Sequence, residues 1–257
     1  MIDLHSHILH DLDDGPPTLA GSLEMARTAL ADGITTMAAT PHGRSVFSRR
    51  YSVELLQTRL SELRVALVAA DLPLEVVPGT ELFCAVDLPA QLKAGALLPY
   101  GTSRTVLVEF PGDVLSAAIE QMAFALQIAG YRVLIAHPER IKVVQRDPNV
   151  LIPLIERGVL MQLTADALTG KQGAHLRQIA ETLLDRRMVH VIASDAHGAH
   201  LQRMPFMAPA RRRAAEILDA AAAEMLVRTT PAALLRDAPV ETPAPKRITP
   251  RRWWRYK

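Results

Sequence analysis

Short apolar runs rich in valine and isoleucine recur through this chain, and helical spacing fills most of the gaps between them. The runs are IDLH at 2–5, ITTMAAT at 34–40, LEVVPGTEL at 74–82, TVLVEF at 105–110, RVLIAHP at 132–138, VLMQLT at 159–164 and VHVIASDAH at 189–197. Leu19, Leu23, Ala26 and Leu30 mark a helix over 18–32 that Gly33 stops, and Leu56, Leu60, Leu63 and Leu67 mark one over 53–70. Further helices are predicted near 115–129, 148–157, 174–187, 207–227 and 231–236. Strands alternating with helices pair in parallel through right-handed crossovers. Seven of them in one domain predict an α/β barrel related to the eight-fold type, with an open sheet as the alternative. Pro78 and Gly79 predict a break or bulge near the end of the third strand.

A chain of 257 residues, nearly half of them apolar, can bury such a core as one domain. We place that domain at 1–238 and read 239–257 as a Pro-containing linker with a basic, aromatic tail, disordered. The tail matters for charge. Residues 246–257 hold six basic side chains and no acid, and without them the chain has 23 basic against 27 acidic residues, a formal −4. The body is therefore mildly acidic, which argues against a nucleic-acid partner. Cys84 is the only cysteine, so no internal disulfide forms. Asp3, His5 and His7 stand where a secretory signal would be basic and then apolar, and no run approaches the ~18 apolar residues of a spanning helix. A cytoplasmic protein is expected.

The chemistry lies where the strands end. His5 and His7 close the first strand and Asp14 follows in its loop; His42 follows the second, in TPHG; Glu81 follows the third, in PGTELF. Glu109 ends the fourth, His137 the fifth, and Asp195 and His197 the seventh. A single such residue reads as a cap or a surface group, but parallel α/β folds gather their sites at the carboxyl ends of the strands, and here six strands and their loops supply metal-type ligands to that end. At i and i+2, His5 and His7 project to one side of a strand. Mixed imidazole and carboxylate ligation suits manganese, iron or zinc. Nine candidates exceed the needs of one ion and suit two or three, with a carboxylate such as Glu81 bridging; closely spaced ions clamp both the attacking and leaving oxygens of a phosphoryl group. His175 and His190 fall away from this end, while His10 and His200 lie in its loops without a matching pattern. Asp3 reads as a support for a ligand, and Asp11 and Asp13 as loop residues.

In MIDLHSHILHDLDDGPPTLAGSLEMARTALADGITTMAATPH, PGTELF, VLVEF, IAHPER and VIASDAHG, over residues 1 to about 198, the chain resembles the PHP (polymerase and histidinol phosphatase) superfamily. Within it the DDGP element resembles the CpsB/CapC/YwqE group of bacterial manganese-dependent protein-tyrosine phosphatases. The resemblance implies a distorted TIM-like (β/α)7 barrel of the PHP type with three divalent ions, manganese first and iron or zinc as alternatives. By motif, His5, His7, Glu81 and Asp195 would hold one ion, Glu81, Glu109 and His137 a second, and Asp14, His42 and His197 a third. Arg140, from HPER, and Arg203 would meet substrate phosphate; Arg140 offers a planar fork matched to phosphate oxygens. His10 stands where many relatives have proline, and Arg44, Arg49 and Arg50 form a loop cluster suited to an acidic substrate or simply to solvent.

The implied activity is hydrolysis of protein phosphotyrosine, with an autophosphorylated bacterial tyrosine kinase of capsule or exopolysaccharide synthesis as partner. A small ester such as histidinol phosphate, and a non-catalytic metal-stabilised binding protein, are the competing readings. The thiol route to phosphotyrosine hydrolysis needs cysteine six residues before arginine; six residues after Cys84 stands Ala90. The tail, with Trp253, Trp254 and Tyr256 among basic residues, allows peripheral membrane contact, or is simply a solubilising end.

Overall fold

The computed structural model describes residues 1–43, 51–199 and 203–249. The arginines at 44, 49 and 50, His200 and the chain from 250 onward lie outside the described residues. In the first half, β1 (Ile2–Ser6), α1 (Leu19–Ala31), β2 (Thr36–Ala39), α2 (Val53–Ala69), β3 (Glu75–Pro78), β4 (Glu81–Phe83), α3 (Leu88–Lys93), β5 (Thr105–Glu109) and α4 (Ser116–Ile128) follow one another. Then come β6 (Arg132–Ala136), α5 (Lys142–Arg146), α6 (Ile152–Glu156), β7 (Leu160–Thr164), α7 (Ala165–Leu168) and α8 (Ala174–Asp185). The chain continues with β8 (Val191–Ala193), α9 (Ala208–Ile217), α10 (Ala220–Glu224) and α11 (Thr230–Leu235).

Helix α2 follows its sequence pattern, burying Leu56, Leu60, Leu63 and Leu67, with Ser52 accepting from the Leu55 N–H as its cap. Helix α1 buries Ser22, Met25, Ala26 and Ala29, leaving Leu19, Leu23 and Leu30 as half-buried flanks. The helices predicted over 207–227 are three successive helical segments. They run as α9, then α10 capped by Asp219, then a π-helical turn over Met225–Thr229. The third strand divides at Pro78–Gly79, as those residues predict, into β3 and β4. The short helices α3, α5 and α7 were not legible, since segments of four to six residues carry too little periodicity.

All strand pairs are parallel, in two sheets ordered β1-β2-β3 and β4-β5-β6-β7-β8. Backbone hydrogen bonds join the sheets at both margins. Beyond β2, Gly43 N–H donates to the Glu81 carbonyl at 2.9 Å and Glu81 N–H to that of Pro41 at 3.1 Å. On the other side, Asp195 N–H donates to the His5 carbonyl and His7 N–H to that of Ala196, both at 2.8 Å. With β3 and β4 counted as one broken strand, this is a distorted (β/α)7 barrel. Its interior holds Leu4, Ala38, Leu107, Leu134, Leu160 and Val191, closed off by Tyr100 and Leu234. A second, larger apolar layer lies between strands and helices.

Residues 239–249 have no regular secondary structure, yet part of this stretch is tied to the barrel. Lys246 N–H donates to the Arg186 carbonyl at 2.8 Å. The Asn149 amide both accepts from Ile248 N–H at 2.8 Å and donates to the Ile248 carbonyl at 3.0 Å. Ile248 is buried. The expectation of a disordered linker from 239 does not hold for this part of it. Among the described residues, no helix is long and apolar enough to cross a membrane.

Candidate metal centre

Two local departures from regular strand geometry build the site. The register of β1 on β2 slips by one residue between Asp3 and Ser6. A bulge of this kind re-aims side chains. Leu4 packs in the barrel interior, and the adjacent His5 also reaches inward, its Nδ1 2.8 Å from Oε1 of Gln162 on β7. The second departure is at His137, which follows Ala136 of the interior and by alternation would point outward. Its φ of 32° swings the ring back so that Nε2 lies 3.0 Å from Glu81 Oε1. Asp195 also has positive φ, at 54°. Left-handed backbone at a residue other than glycine costs about 1 kcal/mol or more, and such positions cluster at functional sites.

Glu81 is the hub. One or other of its carboxylate oxygens lies 3.2 Å from His5 Nε2, 3.3 Å from His7 Nε2, 3.0 Å from His42 Nδ1 and 3.0 Å from His137 Nε2. Among the described residues, three groups have ligand atoms mutually within 4.8 Å: His7, Asp14, His42 and His197; His5, His7 and Glu81; and His42, Glu81 and Glu109. Asp195 Oδ1 is 3.4 Å from His5 Nε2, and His137 Nε2 is 3.8 Å from Glu109 Oε1. All nine residues named from the strand ends therefore meet in one place. The partition differs from that carried over by motif in that His7 also joins Asp14 and His197, its ring stacked on His197 with centroids 3.8 Å apart. His42 likewise stands between two groups.

Three histidines have the ring nitrogen that faces away from the cluster occupied by an acceptor. His5 Nδ1 meets the Gln162 amide oxygen, His7 Nδ1 meets Asp13 Oδ2 at 2.6 Å, and His197 Nδ1 meets the Asp195 carbonyl at 3.0 Å. Each partner takes the Nδ1 proton and leaves the Nε2 lone pair for the centre, an arrangement typical of metal-ligating histidine. Those three Nε2 atoms, with Glu81 Oε2 and Glu109 Oε2, are buried without a hydrogen-bond partner. Cations of the borderline type satisfy such a donor set, so the residues fit divalent ions well.

The electrostatics agree. Burial disfavours a charged His7, yet Asp13 and Glu81 more than offset it and raise its proton affinity well above the ordinary imidazole value. Burial next to Glu81 pushes Glu109 up to about 7. His137 goes the other way, lowered to about 4 by burial and by Arg140. Around His7 and Glu109 the centre thus favours added positive charge, which a divalent cation supplies as a proton does.

Two guanidiniums stand at the rim. Arg140 donates to Asp195 Oδ2 at 2.6 Å and Arg203 to Asp195 Oδ1 at 2.7 Å. Burial alone would raise the Asp195 pKa, but His5 and these two arginines hold it far below the usual carboxylate range. Asp3 supports the same wall from behind, accepting from Ser194 Oγ at 2.5 Å and from the N–H groups of Ser194 and His5. Asp13, a loop residue by sequence, orients His7 and also accepts from His42 N–H at 2.9 Å. Gln162 was not singled out at all. The only signal for it was a polar residue in the middle of an apolar strand, LMQLT. His10 lies apart from the cluster, with Nε2 3.2 Å from Glu62 Oε2.

The model for the family "Capsular polysaccharide synthesis, CpsB/CapC" matches residues 1–236. The chain belongs to the CpsB/CapC family. It is 36% identical over 197 residues to the tyrosine-protein phosphatase YwqE of Bacillus subtilis, covering 77% of each chain. With the tyrosine-protein phosphatase CpsB of Streptococcus pneumoniae it shares 26% identity over 242 residues, 92% of this chain and 99% of that one. A chain from the solved structures of these two metal-dependent tyrosine phosphatases superposes with a TM-score of 0.91 at 32% identity, covering 97% of this chain and all of that one. The histidinol phosphate phosphatase of Lactococcus lactis shares the fold at a TM-score of 0.52 and 11% identity, over 84% of this chain and 94% of that one. In this CpsB/CapC chain the clustered histidines and carboxylates lie at the carboxyl-terminal face of the barrel.

Proposed function

We propose that this protein is a metal-dependent protein-tyrosine phosphatase. We further infer three divalent ions, manganese by preference, held by His5, His7, Asp14, His42, Glu81, Glu109, His137, Asp195 and His197. The observation that carries the reading is the set of imidazole Nε2 atoms whose tautomers are fixed from outside, those of His5 and His7 meeting Glu81 and that of His197 meeting Asp14, beneath two arginines. Bound ions supply Lewis-acid charge for phosphoryl oxygens and acidify water near neutral pH. The chain's own residues do the rest. Arg140 and Arg203 take non-bridging phosphate oxygens and stabilise charge that grows on them during in-line displacement. A phenoxide, of pKa ~10, leaves with little general-acid help, so an aryl ester makes small demands on the rim for a proton donor. The family's place in capsular polysaccharide synthesis and the names of its relatives support an autophosphorylated tyrosine kinase of capsule or exopolysaccharide export as the partner.

The test is hydrolysis of a phosphotyrosyl peptide with and without chelator, and after thiol alkylation. Chelation is expected to abolish turnover and added manganese to restore it, while alkylation of Cys84 changes nothing. Activity that survives chelation but not alkylation sinks the proposal. A subtler consequence concerns Asp13. In Asp13→Asn the hydrogen bond to His7 Nδ1 weakens, and metal affinity should fall about 10- to 100-fold. Manganese titration of the purified variant checks this, with kcat recovering at saturating metal.

A further inference from the structure

Beside the two arginines the structure opens into a groove of about 880 Å³ that the centre itself does not use. Arg140 and Arg203 form its inner end, and Leu176, Met204 and Phe206 supply an apolar wall. Charge at one end and apolar surface beyond it is the pattern of an aryl phosphate: anion first, ring after.

Phe206 is held in place by its backbone. His197 N–H donates to the Arg203 carbonyl at 2.8 Å, Arg203 adopts a φ of 56°, and Phe206 N–H donates to the Met204 carbonyl at 2.8 Å. Just beyond, Asp32 at the end of α1 accepts from both Met207 and Ala208 N–H, at 2.6 and 2.8 Å. The same short segment thus carries one phosphate-facing guanidinium and, three residues on, the aromatic ring. The ring is only half-buried. Its face is covered by Lys171, whose Nζ lies 5.0 Å from the centroid and 3.1 Å from Asp166 Oδ1. That lysine side chain is 48% exposed, so it is a solvated cover that a ligand can displace, unlike a core neighbour.

We propose that Phe206, with Leu176 and Met204, is the subsite for the phosphotyrosine ring and makes this chain select aryl over alkyl phosphate esters. The assignment rests on the phosphatase reading above. A phosphoserine presents no ring to this wall and gains nothing from it. Aromatic contact and the burial that accompanies it account for about a tenfold preference.

The experiment compares the full-length, manganese-loaded enzyme with Phe206→Ala and Phe206→Leu on phosphotyrosyl and phosphoseryl peptides of the same flanking sequence, with inorganic phosphate as a competitive inhibitor. The alanine variant is expected to raise KM for the phosphotyrosyl peptide about tenfold at nearly constant kcat. Leucine should recover part of this, and the inhibition constant for phosphate and the manganese content should not move. A phosphotyrosine KM unchanged in Phe206→Ala overturns the subsite while leaving the phosphatase reading intact. Equal losses for phosphate binding and peptide binding also overturn it, because Phe206 would then act only by supporting Arg203. Wild-type enzyme that hydrolyses no phosphotyrosyl peptide removes both.

Discussion

Glu81→Gln is expected to lower phosphotyrosine turnover by roughly a thousandfold or more, with loss of bound metal measured by elemental analysis of the same sample. The side chain is fully enclosed, and its carboxylate lies within 3.3 Å of four imidazoles. Burial works against its charge, but His5, His137 and His42 hold its pKa well below the usual range, so it is an anion in the folded protein. Glutamine keeps the shape and one acceptor oxygen but removes the charge that the whole cluster is arranged around. The neighbouring imidazoles would lose the anion that offsets their burial, and any ions bridged by Glu81 would lose a shared ligand. Near-normal turnover in this variant would mean that Glu81 is not a bridge.

The second large effect is expected at Arg140. Arg140→Ala should cut kcat by about 100- to 1,000-fold while metal content stays near that of the wild type, the usual loss on removing one preorganised donor to developing charge. Arg140→Lys should recover little of it, because an ammonium cannot present two parallel N–H groups to a phosphate. The fold should tolerate the change. Asp195 would keep Arg203 at 2.7 Å and His5 at 3.4 Å, so the deletion does not strand a buried carboxylate. Single-turnover rates and metal analysis on the two variants check the point. Wild-type kcat in Arg140→Ala would remove this arginine from the mechanism, and loss of metal would recast it as a support for Asp195.

Most of the barrel, and the residues that the fold gathers at its carboxyl-terminal face, were legible from local pattern. The seven strand positions show because parallel strands buried on both faces read as continuous apolar runs. The break at Pro78–Gly79 shows because proline cannot donate to a ladder and glycine weakens one. The nine residues proposed as ligands stand out because each lies in or soon after such a run, toward its carboxyl end, and the fold brings those ends together.

What the amino-acid sequence determined by itself was therefore the identity of the strands and the face on which chemistry would gather, both consequences of short-range hydrophobic patterning. What only the tertiary structure decided was how the gathered groups are aimed. The bulge that lets Leu4 and His5 both face inward depends on the register between β1 and β2, residues more than thirty positions apart. The left-handed turn that brings His137 onto Glu81 is a conformation histidine visits more readily than most side chains but still uncommonly, so the surrounding packing has to select it. The partners that fix each imidazole tautomer, Gln162 for His5 and Asp13 for His7, come from a distant strand and from the following loop. Local sequence records which side chains are available. Pairing register and backbone torsion, set by packing across the whole barrel, determine which atom of each points at the centre.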